Sequence, residues 1–573
     1  MQSIAVPPRT WAIHPFHAAV LGGVLPLFLG ALLSDYAYWS SYQIQWSNFA
    51  SWLLVGAMVF TSIALLCGIV GLVRGSRHVL YVVALVATWV IGFWNALHHA
   101  RDAWAIMPMA LVLSVIVTLL ALLATWAGFA SLHRRCTMSR RPFAVLAVSA
   151  LATALAACGQ APDAKQHGAA PELPSPHRGL MPDMLIAKPA AWNDRRPTVP
   201  AGYSVSAIAT GLGIPRQTLV LPNGDILVAE GRGGGAPNLK PKDVIAGKIK
   251  AKGTSSVKSG NRLTLLRDAD GDGTYELKTV FADKLNAPYG LALIGNALYV
   301  ANQDALVRFD YNEGQTKASG APTVVTELPS AINHHWTKAL TASADGRYLY
   351  VAIGSNSNIT ERGMPAEVDR ARIWQVDAAT GAHKAYATGL RNPTALAIQP
   401  GSGALWAVVN ERDEIGPNLV PDYLTSVREG GFYGWPYSYW GKNVDTRVMP
   451  QDPQKVASAI APDYALGSHV AALGVAFSSA AMGEKFADGV FVGEHGSWNR
   501  DPPAGYKVVF VPFRDGRPAG DPIDFVSGFH GDDGLTRGRP VGVTVDPRGA
   551  LIVADDLANT IWRVTPAAKP AAP

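Results

Sequence analysis

The sequence predicts a chain of two parts, an α-helical transmembrane bundle of four to five helices followed by an all-β six-bladed propeller. Two observations predict this division: long apolar stretches with few charges end near residue 160, and a turn-and-strand motif recurs six times after it. At 573 residues, the chain is also too long for one ordinary domain.

Four segments follow from this division. They are a membrane domain (1–136), a further apolar segment (137–158), an Ala- and Pro-rich linker (159–200) and the propeller (201–566). The linker has almost no apolar periodicity, which is typical of a flexible tether.

Four apolar stretches in the first segment, residues 17–39, 49–73, 79–97 and 104–132, are each long enough to cross about 30 Å of hydrocarbon as a helix. Arginines lie between the second and third stretches and after the fourth, whereas the other loops carry little positive charge. The positive-inside rule therefore places both arginine-containing loops and the N-terminus in the cytoplasm. The Tyr- and Trp-rich loop 36–46 then falls at the outer interface.

A fifth apolar run, residues 143–157, follows two arginines and ends in Leu-Ala-Ala before Cys158. These are the parts of a lipoprotein signal peptide, and a fifth transmembrane helix is the alternative. Both interpretations predict a chain in the bacterial inner membrane, in contact with lipid, with the propeller in the periplasm.

Histidines in the membrane domain raise the question of a haem site. The predicted topology collects His14, His17 and His78 on the cytoplasmic side and His98 and His99 on the outer side, so the two groups cannot share one iron. Histidines that anchor the helices at the interface are the alternative. The segment from His14 to His17 resembles the start of the DUF2231 family, a four-helix membrane domain.

Charge and cysteine content exclude some functions. The formal net charge is +6, but the basic residues are scattered or lie beside apolar spans, so we do not expect nucleic-acid binding. The cysteines are Cys67, Cys136 and Cys158, which leaves the propeller without an internal disulfide. No Cys-x-x-Cys-His motif for c-type haem occurs, so electrons would have to leave to another carrier.

The propeller is predicted from the repeated motif, a Gly-containing turn followed by a strand rich in Val, Ile, Leu and aromatic residues. Most copies follow a second short apolar strand, such as residues 394–398 or 541–545. Such hairpins cannot bury their faces alone, and their spacing leaves room for four strands per unit. A β-sandwich with appendages is the alternative. The six copies are residues 222–230, 295–302, 345–353, 403–410, 488–494 and 547–555.

Distinctive polar residues precede the first strand of the hairpin in several copies. Equivalent loops of all blades lie around one end of a propeller channel, so these side chains are predicted to converge on one mouth. Guanidinium groups suit a small planar polyanion, and a histidine can accept a proton near neutral pH. The combination suggests oxidation of an alcohol beside an anionic cofactor. The residues are Arg216, Gln217, His334, His335, Arg391, Asn392, Arg537 and Arg539.

Residues 200–566 resemble the soluble quinoprotein glucose and sorbosone dehydrogenase superfamily, especially its sorbosone and pyranose dehydrogenase-like branch. The resemblance lies in the segments 389–393 (GLRNP), 410–414 (NERDE), 430–436 (GGFYGWP), 493–500 (GEHGSWNR) and 537–539 (RGR). It implies pyrroloquinoline quinone (PQQ) and calcium as cofactors. It further implies a membrane-anchored dehydrogenase that oxidises a sugar, a sugar aldehyde or a related alcohol, with a quinone or a separate cytochrome as electron acceptor.

The resemblance assigns the role of catalytic base to His335. It assigns cofactor binding to six arginine and asparagine residues and to His334, which stands where the glucose enzymes have an acid. Arg500 or His495 would replace the family's cofactor lysine. Cofactor calcium would be held largely by backbone oxygens of the loop 410–413. The cofactor-binding set is Arg216, Arg391, Asn392, Arg500, Arg537 and Arg539, and the calcium loop contains Glu411, Arg412 and Asp413.

A second candidate calcium site lies in the segment 268–273. Asp268, Asp270 and Asp272 alternate before a glycine, which suits oxygen coordination of a structural calcium ion. Thr279 stands where an EF-hand needs its twelfth-position glutamate, and an exposed Asp-Gly hairpin is the alternative.

Two other functions are compatible with a propeller, because this fold serves many activities. One is a ligand-binding propeller without catalysis, and the other is a calcium-dependent sugar lactonase. The arginines at the mouth argue against a lactonase, and His335 argues against a simple binding module.

Overall fold

The structure is a computed structural model that describes residues 14–74, 79–101, 105–130, 165–176 and 184–567. The chain divides into two compact units, one built from four long helices and one from β-sheets. His78, Cys136, Cys158 and the apolar run 143–157 lie outside the described residues.

The helical unit consists of α1 (Pro15–Ser41), α2 (Ile44–Val73), α3 (Val79–His99) and α4 (Met109–Ala130). All four are long and apolar enough to cross a membrane, so the four predicted apolar helices are present. Each helix packs against the next, and α4 packs against α1, which closes the bundle. The predicted loop 36–46 is wrong in detail, because α1 continues through Ser41 and only Tyr42 and Gln43 join it to α2.

The second unit contains six antiparallel sheets arranged as the blades of a propeller, as predicted. The strands before the first blade are β1 (His167–Gly168) and β2 (Tyr203–Ala209). The first blade has β3 (Pro215–Val220), β4 (Ile226–Glu230), β5 (Arg262–Arg267) and β6 (Leu277–Ala282). The second has β7 (Gly290–Ile294), β8 (Ala297–Ala301), β9 (Ala305–Asp310) and β10 (Thr323–Glu327). The third has β11 (Leu340–Ala342), β12 (Tyr348–Ile353), β13 (Arg372–Asp377) and β14 (His383–Thr388).

The later blades carry insertions. The fourth blade has β15 (Asn392–Ile398), β16 (Leu405–Asn410), β17 (Pro421–Ser426) and, after the small hairpin β18 (Ser438–Tyr439) and β19 (Asn443–Val444), β20 (Tyr464–Ser468). The fifth has β21 (Ala472–Phe477), β22 (Gly489–Glu494), β23 (Lys507–Arg514), β24 (Arg517–Pro518) and β25 (Ile523–Val526). The sixth has β26 (Pro540–Val545), β27 (Leu551–Asp555) and β28 (Thr560–Pro566). Two helices lie between strands, α5 (Pro241–Ala251) and α6 (Pro453–Ser458).

The ring closes in two ways. The first strands of the blades, β3, β7, β11, β15, β21 and β26, contact one another in this cyclic order around the axis. In addition, β2 pairs with β28, so the beginning of the propeller supplies the outer strand of the last blade. Six copies of the motif predicted six hairpins, but this exchange of the outer strand was not predicted.

The six sequence repeats correspond to the second strands β4, β8, β12, β16, β22 and β27, each following a turn as expected. These strands are almost entirely buried because they lie inside the sheets with blades on both faces. The core therefore consists of apolar layers between neighbouring blades.

The prediction of a flexible linker at 159–200 is wrong for the described part of that segment. Strand β1 pairs with β20 of the fourth blade, and Thr198 bridges to Ser527. The ring of Trp192 packs edge-on against Phe529 and Trp562. Single anchors of this kind are invisible to a periodicity argument, because one tryptophan can bury a large apolar area without any repeat.

Strand register decides where the functional side chains lie. The first residue of each inner strand pairs with the last residues of the second strand, as Asn392 pairs with Asn410 and Pro540 with Asp555. The loop that enters an inner strand and the loop that leaves the second strand therefore share one end of the propeller. We call this end the mouth.

Candidate active site

His335 lies in the loop that leads into β11 and has one free ring nitrogen. Its Nδ1 lies 2.8 Å from the carbonyl oxygen of Ser355, which can only accept, so Nδ1 carries the proton. No described residue makes a hydrogen bond to Nε2, so its lone pair is available to accept a proton. The sequence-predicted base thus has the tautomer that a base needs.

Burial and the nearby Arg391 keep the His335 imidazole neutral. Burial lowers the pKa of His335 well below its usual value, and Arg391 and His334 lower it further. The His334 ring stands edge-on to it, 4.7 Å away, and the pKa of His334 falls to about 4 through loss of solvent and the nearby Arg391 and Arg362. An anion bound here would weaken this repulsion and raise both pKa values.

Two buried basic side chains hold the His335 loop. Arg370 donates from Nη2 to the His335 carbonyl oxygen at 2.8 Å and from Nη1 to the Asn333 side chain at 3.2 Å. Lys338 donates to Asn333 Oδ1 and to the carbonyl oxygen of Trp336. Burial lowers the pKa of Lys338 well below its usual value, with a further contribution from Arg370.

Arg391 joins the loops of two blades. Its guanidinium donates to the backbone oxygens of Asn358, Asn410 and Glu411, to Asn358 Oδ1 and to the Asp413 carboxylate, and its side chain is 3 % exposed. Arg391 was predicted to bind the cofactor. The structure engages its donors with protein acceptors, so in this state Arg391 orders the mouth and supplies its charge to it.

The side chains of Asn392 and His335 both pack closely against Gly354. A Cβ on Gly354 would lie 2.2 Å from Asn392 Oδ1 and 2.6 Å from His335 Cβ. Only glycine permits this approach of three loops. The Asn392 Oδ1 atom is buried and has no partner among the described residues.

Asp413 is the acidic centre of this half of the mouth. Its Oδ1 accepts a hydrogen bond from Asn499 Nδ2 at 2.8 Å and lies 3.4 Å from His469 Nδ1. His469 and Arg391 hold the pKa of Asp413 well below its usual value, against the effect of burial. The carboxylate is therefore ionised at neutral pH, while its side chain remains 24 % exposed.

The three side chains of the predicted calcium loop 411–413 lie in different surroundings. Arg412 is buried against Asp445, so it offers no side-chain ligand. Glu411 is fully enclosed, its Oε1 has no partner, and burial raises its pKa to about 7. The backbone oxygens of Glu411 and Asp413 already accept hydrogen bonds from Arg391 and Arg412 respectively. Of the predicted loop, the Asp413 carboxylate is the group that faces the mouth.

A second polar group lies across the mouth. Arg216 pairs with Asp556, and Asp556 Oδ1 lies 2.9 Å from His495 Nε2. Asp556 remains ionised because His495 and Arg216 lower its pKa, whereas burial and Arg539 lower the pKa of His495 to about 4. Arg539 donates to the backbone oxygens of His495 and Gly496. Predicted residues of two distant repeats therefore converge here.

Aromatic rings connect the two halves. The Arg216 guanidinium carbon lies 5.3 Å from the ring of Trp336, the residue after the base, and 5.5 Å from the ring of Tyr289. These two rings meet edge-on at 5.7 Å. Guanidinium stacking on an aromatic face is favourable, so the base and the second group are packed into one assembly.

Three predicted residues make contacts elsewhere. Arg537 forms an ion pair with Asp533. Arg500 donates to Gln166 Oε1 and to the carbonyl oxygen of Ser468. Gln217 donates to the carbonyl oxygen of Leu473 beside the channel axis.

The candidate structural calcium site gains a fourth carboxylate. Ligand atoms of Asp268, Asp270, Asp272 and Glu276 lie within 4.8 Å of one another. Glu276 does not occupy the twelfth position of an EF-hand loop, where Thr279 stands, so the motif spacing does not predict it. The aspartates also accept backbone N–H groups of their own turn, including those of Gly271 and Gly273.

Several site residues were missed from the sequence, among them Asn358, His469, Asn499 and Asp556. All except His469 lie in loops that leave a second strand, whereas the sequence argument aligned only the loops that enter the first strand. The signal was present, since five of the six repeats end at Asp, Glu or Asn. Extending the alignment past each repeat would have found Asp556, which directly follows the last one.

Comparison with solved structures supports the fold. The PQQ domain of pyranose dehydrogenase from Coprinopsis cinerea, in its holo form, matches with a TM-score of 0.52 and 21 % identity over 65 % of this chain and 97 % of that chain. A calcium structure of a Trichoderma reesei family AA12 enzyme matches with a TM-score of 0.52 and 20 % identity, over 67 % and 99 %.

Curated relatives cover parts of the chain. An uncharacterised protein of Borreliella burgdorferi is 28 % identical over 303 residues, 49 % of this chain and 76 % of its own length. A PQQ-dependent pyranose dehydrogenase of Coprinopsis cinerea is 23 % identical over 54 % of this chain and 44 % of its own. An aldose sugar dehydrogenase of Escherichia coli is 25 % identical over 31 % and 50 %. The chain thus spans about half the length of these two dehydrogenases.

The TrAA12-like family model matches residues 197–422 and 443–567, which is more than half of the chain and includes both halves of the mouth. The chain therefore belongs to the TrAA12-like family.

Proposed function

We propose that the propeller is a PQQ-dependent dehydrogenase that oxidises a sugar, a sugar aldehyde or a related alcohol. The observation that carries this proposal is a neutral imidazole with a free Nε2, His335, held beside several guanidinium groups at one mouth. Relatives described as PQQ-dependent pyranose dehydrogenase and aldose sugar dehydrogenase support the choice of cofactor and substrate class.

Unpaired polar atoms at the mouth suit a bound polar molecule: an unpaired donor would fit a carboxylate or carbonyl group of an anionic quinone, and unpaired acceptors would fit N–H or O–H groups of the cofactor or substrate. Arg216 Nε is a buried donor without a partner, and Asn392 Oδ1 and Asn499 Oδ1 are buried acceptors without partners among the described residues. Buried polar groups of this kind are normally satisfied, so their presence in one place suits a bound polar molecule. Arg216, Asn392, Arg539 and His334 would hold the cofactor, as the resemblance implies, with the charge of Arg391 beside them, whereas Arg500 and Arg537 are engaged elsewhere.

The chemistry divides between cofactor and protein. The quinone, when bound, accepts hydride from the carbon that carries the substrate hydroxyl. His335 Nε2 takes the proton of that hydroxyl, while Ser355 holds Nδ1–H and so fixes the tautomer throughout. The nearby Arg391 disfavours a second positive charge, so the proton must leave His335 again after each turnover.

Calcium has two proposed places. The first is at the cofactor, where the ionised and partly exposed Asp413 carboxylate is the available side-chain ligand. The second is the cluster of Asp268, Asp270, Asp272 and Glu276, where an ion would be structural because the turn lies at the opposite end of its strands from the mouth. Oxygen ligands are those that calcium prefers.

The cellular setting is also a proposal. Four apolar helices with the charge asymmetry described above support an inner-membrane anchor and a periplasmic propeller, with a DUF2231-like membrane domain. Electrons would pass from the propeller to a membrane quinone or to a separate cytochrome.

The test uses the full-length chain in detergent or bilayers, loaded with PQQ and calcium. Sugars and sugar aldehydes are offered with an artificial electron acceptor, and acceptor reduction is measured. We expect turnover that depends on both PQQ and substrate. PQQ binding without turnover on any sugar or alcohol would favour a ligand-binding propeller, and hydrolysis of a sugar lactone without redox chemistry would favour a lactonase.

A further inference from the structure

Asp35 is the one acidic residue within the four described membrane helices, and these helices contain no lysine or arginine. Its side chain is fully buried inside the bundle. An ionisable group is costly inside a membrane and is usually retained for a function. The sugar chemistry proposed above makes no use of it.

Asp35 belongs to a closed hydrogen-bond network that joins three helices. Its Oδ1 lies 2.8 Å from His99 Nε2, and its Oδ2 accepts from Ser114 Oγ at 2.6 Å. Ser114 Oγ in turn accepts from Asn95 Nδ2 at 2.8 Å. His99 Nδ1 lies 3.0 Å from the backbone oxygen of Asn95, which completes the loop.

The network contains one proton whose position is not fixed by its partners. The Asn95 carbonyl oxygen can only accept, so His99 Nδ1 carries a proton, and Ser114 donates its own proton to Asp35. The remaining proton lies between Asp35 Oδ1 and His99 Nε2. Whether it resides on oxygen or nitrogen, the pair has no net charge, and an apolar surrounding tolerates both forms better than an isolated charge.

The network has an unused acceptor close to the helix ends. Asn95 Oδ1 is buried and has no partner among the described residues. Asn95 lies four residues before the end of α3, about 6 Å, and Asp35 lies six residues before the end of α1, about 9 Å. A water molecule needs such an acceptor to bind, and this depth is within reach of the aqueous phase.

Few charged or titratable groups face this network from the described helices. His98 donates from Nε2 to the carbonyl oxygen of Ile106 at 2.9 Å, Tyr38 is buried one turn after Asp35, and Arg101 follows the end of α3. Helices α2 and α4 contribute no charged side chain. Outside these helices, buried Lys240 of the same compact unit donates from Nζ to the backbone oxygens of His99 at 3.3 Å and of Arg101 at 3.1 Å. Asp35 and His99 hold the shared proton, and Lys240 lies beside them.

We propose that the Asp35–His99 pair is a proton-transfer site of the membrane unit, which holds one exchangeable proton and takes a water molecule at the Asn95 carboxamide oxygen. In the elementary step, the O–H bond of the Asp35 carboxyl group breaks as the N–H bond at His99 Nε2 forms. The proton is replaced from, or released to, water at the nearby helix ends, so no oxidant or reductant is required.

Infrared spectroscopy of the full-length chain in lipid bilayers tests this site. Spectra of the wild type minus Asp35→Asn isolate the bands of this carboxyl group. We expect these bands to shift in D2O and to change with pH, and to be absent from Asp35→Asn. Bands that are insensitive to D2O and to pH would identify a sealed structural contact and would overturn the proposal.

Two further variants keep the test decisive if Asp35→Asn does not fold. Ser114→Ala removes the hydrogen bond to Asp35 Oδ2 but leaves the proton shared by Asp35 and His99. It should therefore shift the D2O-sensitive bands of the Asp35 carboxyl group without abolishing them. Ser62→Ala is the matched control, because Ser62 bonds the Met58 carbonyl oxygen and Trp89 and is outside the network. Identical spectra for Ser114→Ala and Ser62→Ala would mean that the D2O-sensitive bands do not come from Asp35, which also contradicts the proposal.

Discussion

Two of the imidazoles at the mouth of the propeller are held through different ring nitrogens. His335 uses Nδ1 to bond the Ser355 carbonyl oxygen and leaves Nε2 free. His495 instead directs Nε2 at the Asp556 carboxylate, which Arg216 also contacts. Both rings are neutral at physiological pH because burial and neighbouring arginines lower their pKa values. A low pKa therefore does not separate the two rings, which differ in the nitrogen that is hydrogen-bonded and in the group that bonds it.

The largest difference is expected in turnover. His335→Gln removes the proton acceptor and should lower kcat with sugar by about 10²–10⁴-fold, the usual contribution of a general base. His495→Gln should have a much smaller effect, because His335, and not His495, stands at the position that the family resemblance assigns to the base, and His495 Nε2 is engaged by Asp556. Steady-state assays of the loaded full-length chain measure both values, and equal losses would contradict the assignment of the base to His335.

The next largest difference is expected in the free energy of unfolding, between variants of two predicted cofactor-binding arginines. Arg391→Ala removes five hydrogen bonds to protein acceptors of two blades and should reduce the free energy of unfolding by about 3–5 kcal/mol. Arg537→Ala, which breaks a pair with the more exposed Asp533, should reduce it much less. Denaturant unfolding followed by tryptophan fluorescence compares the two variants. Similar losses would contradict the assigned role of Arg391 in joining the loops.

The pH dependence of stability should change in His495→Gln. The folded pKa of His495, about 4, lies below its unfolded value, so the folded state favours the neutral ring. The wild type therefore loses stability as pH falls from about 6.5 to about 4, and this loss is complete below the folded pKa. The glutamine variant cannot titrate there and should show a flatter curve on the acid side. A curve parallel to that of the wild type would show that His495 does not titrate in this range.

The smallest effect is expected away from the mouth. Asp268→Ala removes the acceptor of two backbone N–H groups in the acidic turn and should lower the free energy of unfolding by about 1 kcal/mol. If calcium binds the four carboxylates, adding it should raise the Tm of the wild type and not that of Asp268→Ala. A calcium effect of equal size in both proteins would place the ion elsewhere.

The architecture was largely predictable because it repeats. Each second strand carries the same turn and the same run of β-branched and aromatic residues, and the four membrane helices differ sharply from them in composition. The exchanged strand β2 and the packed segment around Trp192 were not predictable in this way. Their partners lie hundreds of residues away or on another blade, and no local pattern encodes such pairing.

The site was predictable in position more than in detail. Register placed His335, Arg391 and Arg539 at one end of the propeller, and the structure joins them through Asn358, Trp336 and Arg216. The sequence could not reveal that the Arg391 donors would be used by backbone oxygens, or that Asp556 would lie between Arg216 and His495. These outcomes depend on loop conformation, which motif spacing does not fix.

The measurement that tests the central claim most directly is single-turnover reduction of bound PQQ by sugar in the wild type and in His335→Gln. Absorbance spectra of the full-length chain follow cofactor binding and cofactor reduction separately. We predict that both proteins bind PQQ with similar affinity and that only the wild type reduces it rapidly when sugar is added. Equally fast reduction in His335→Gln would contradict the account, because the free imidazole nitrogen at the mouth would then not be the base.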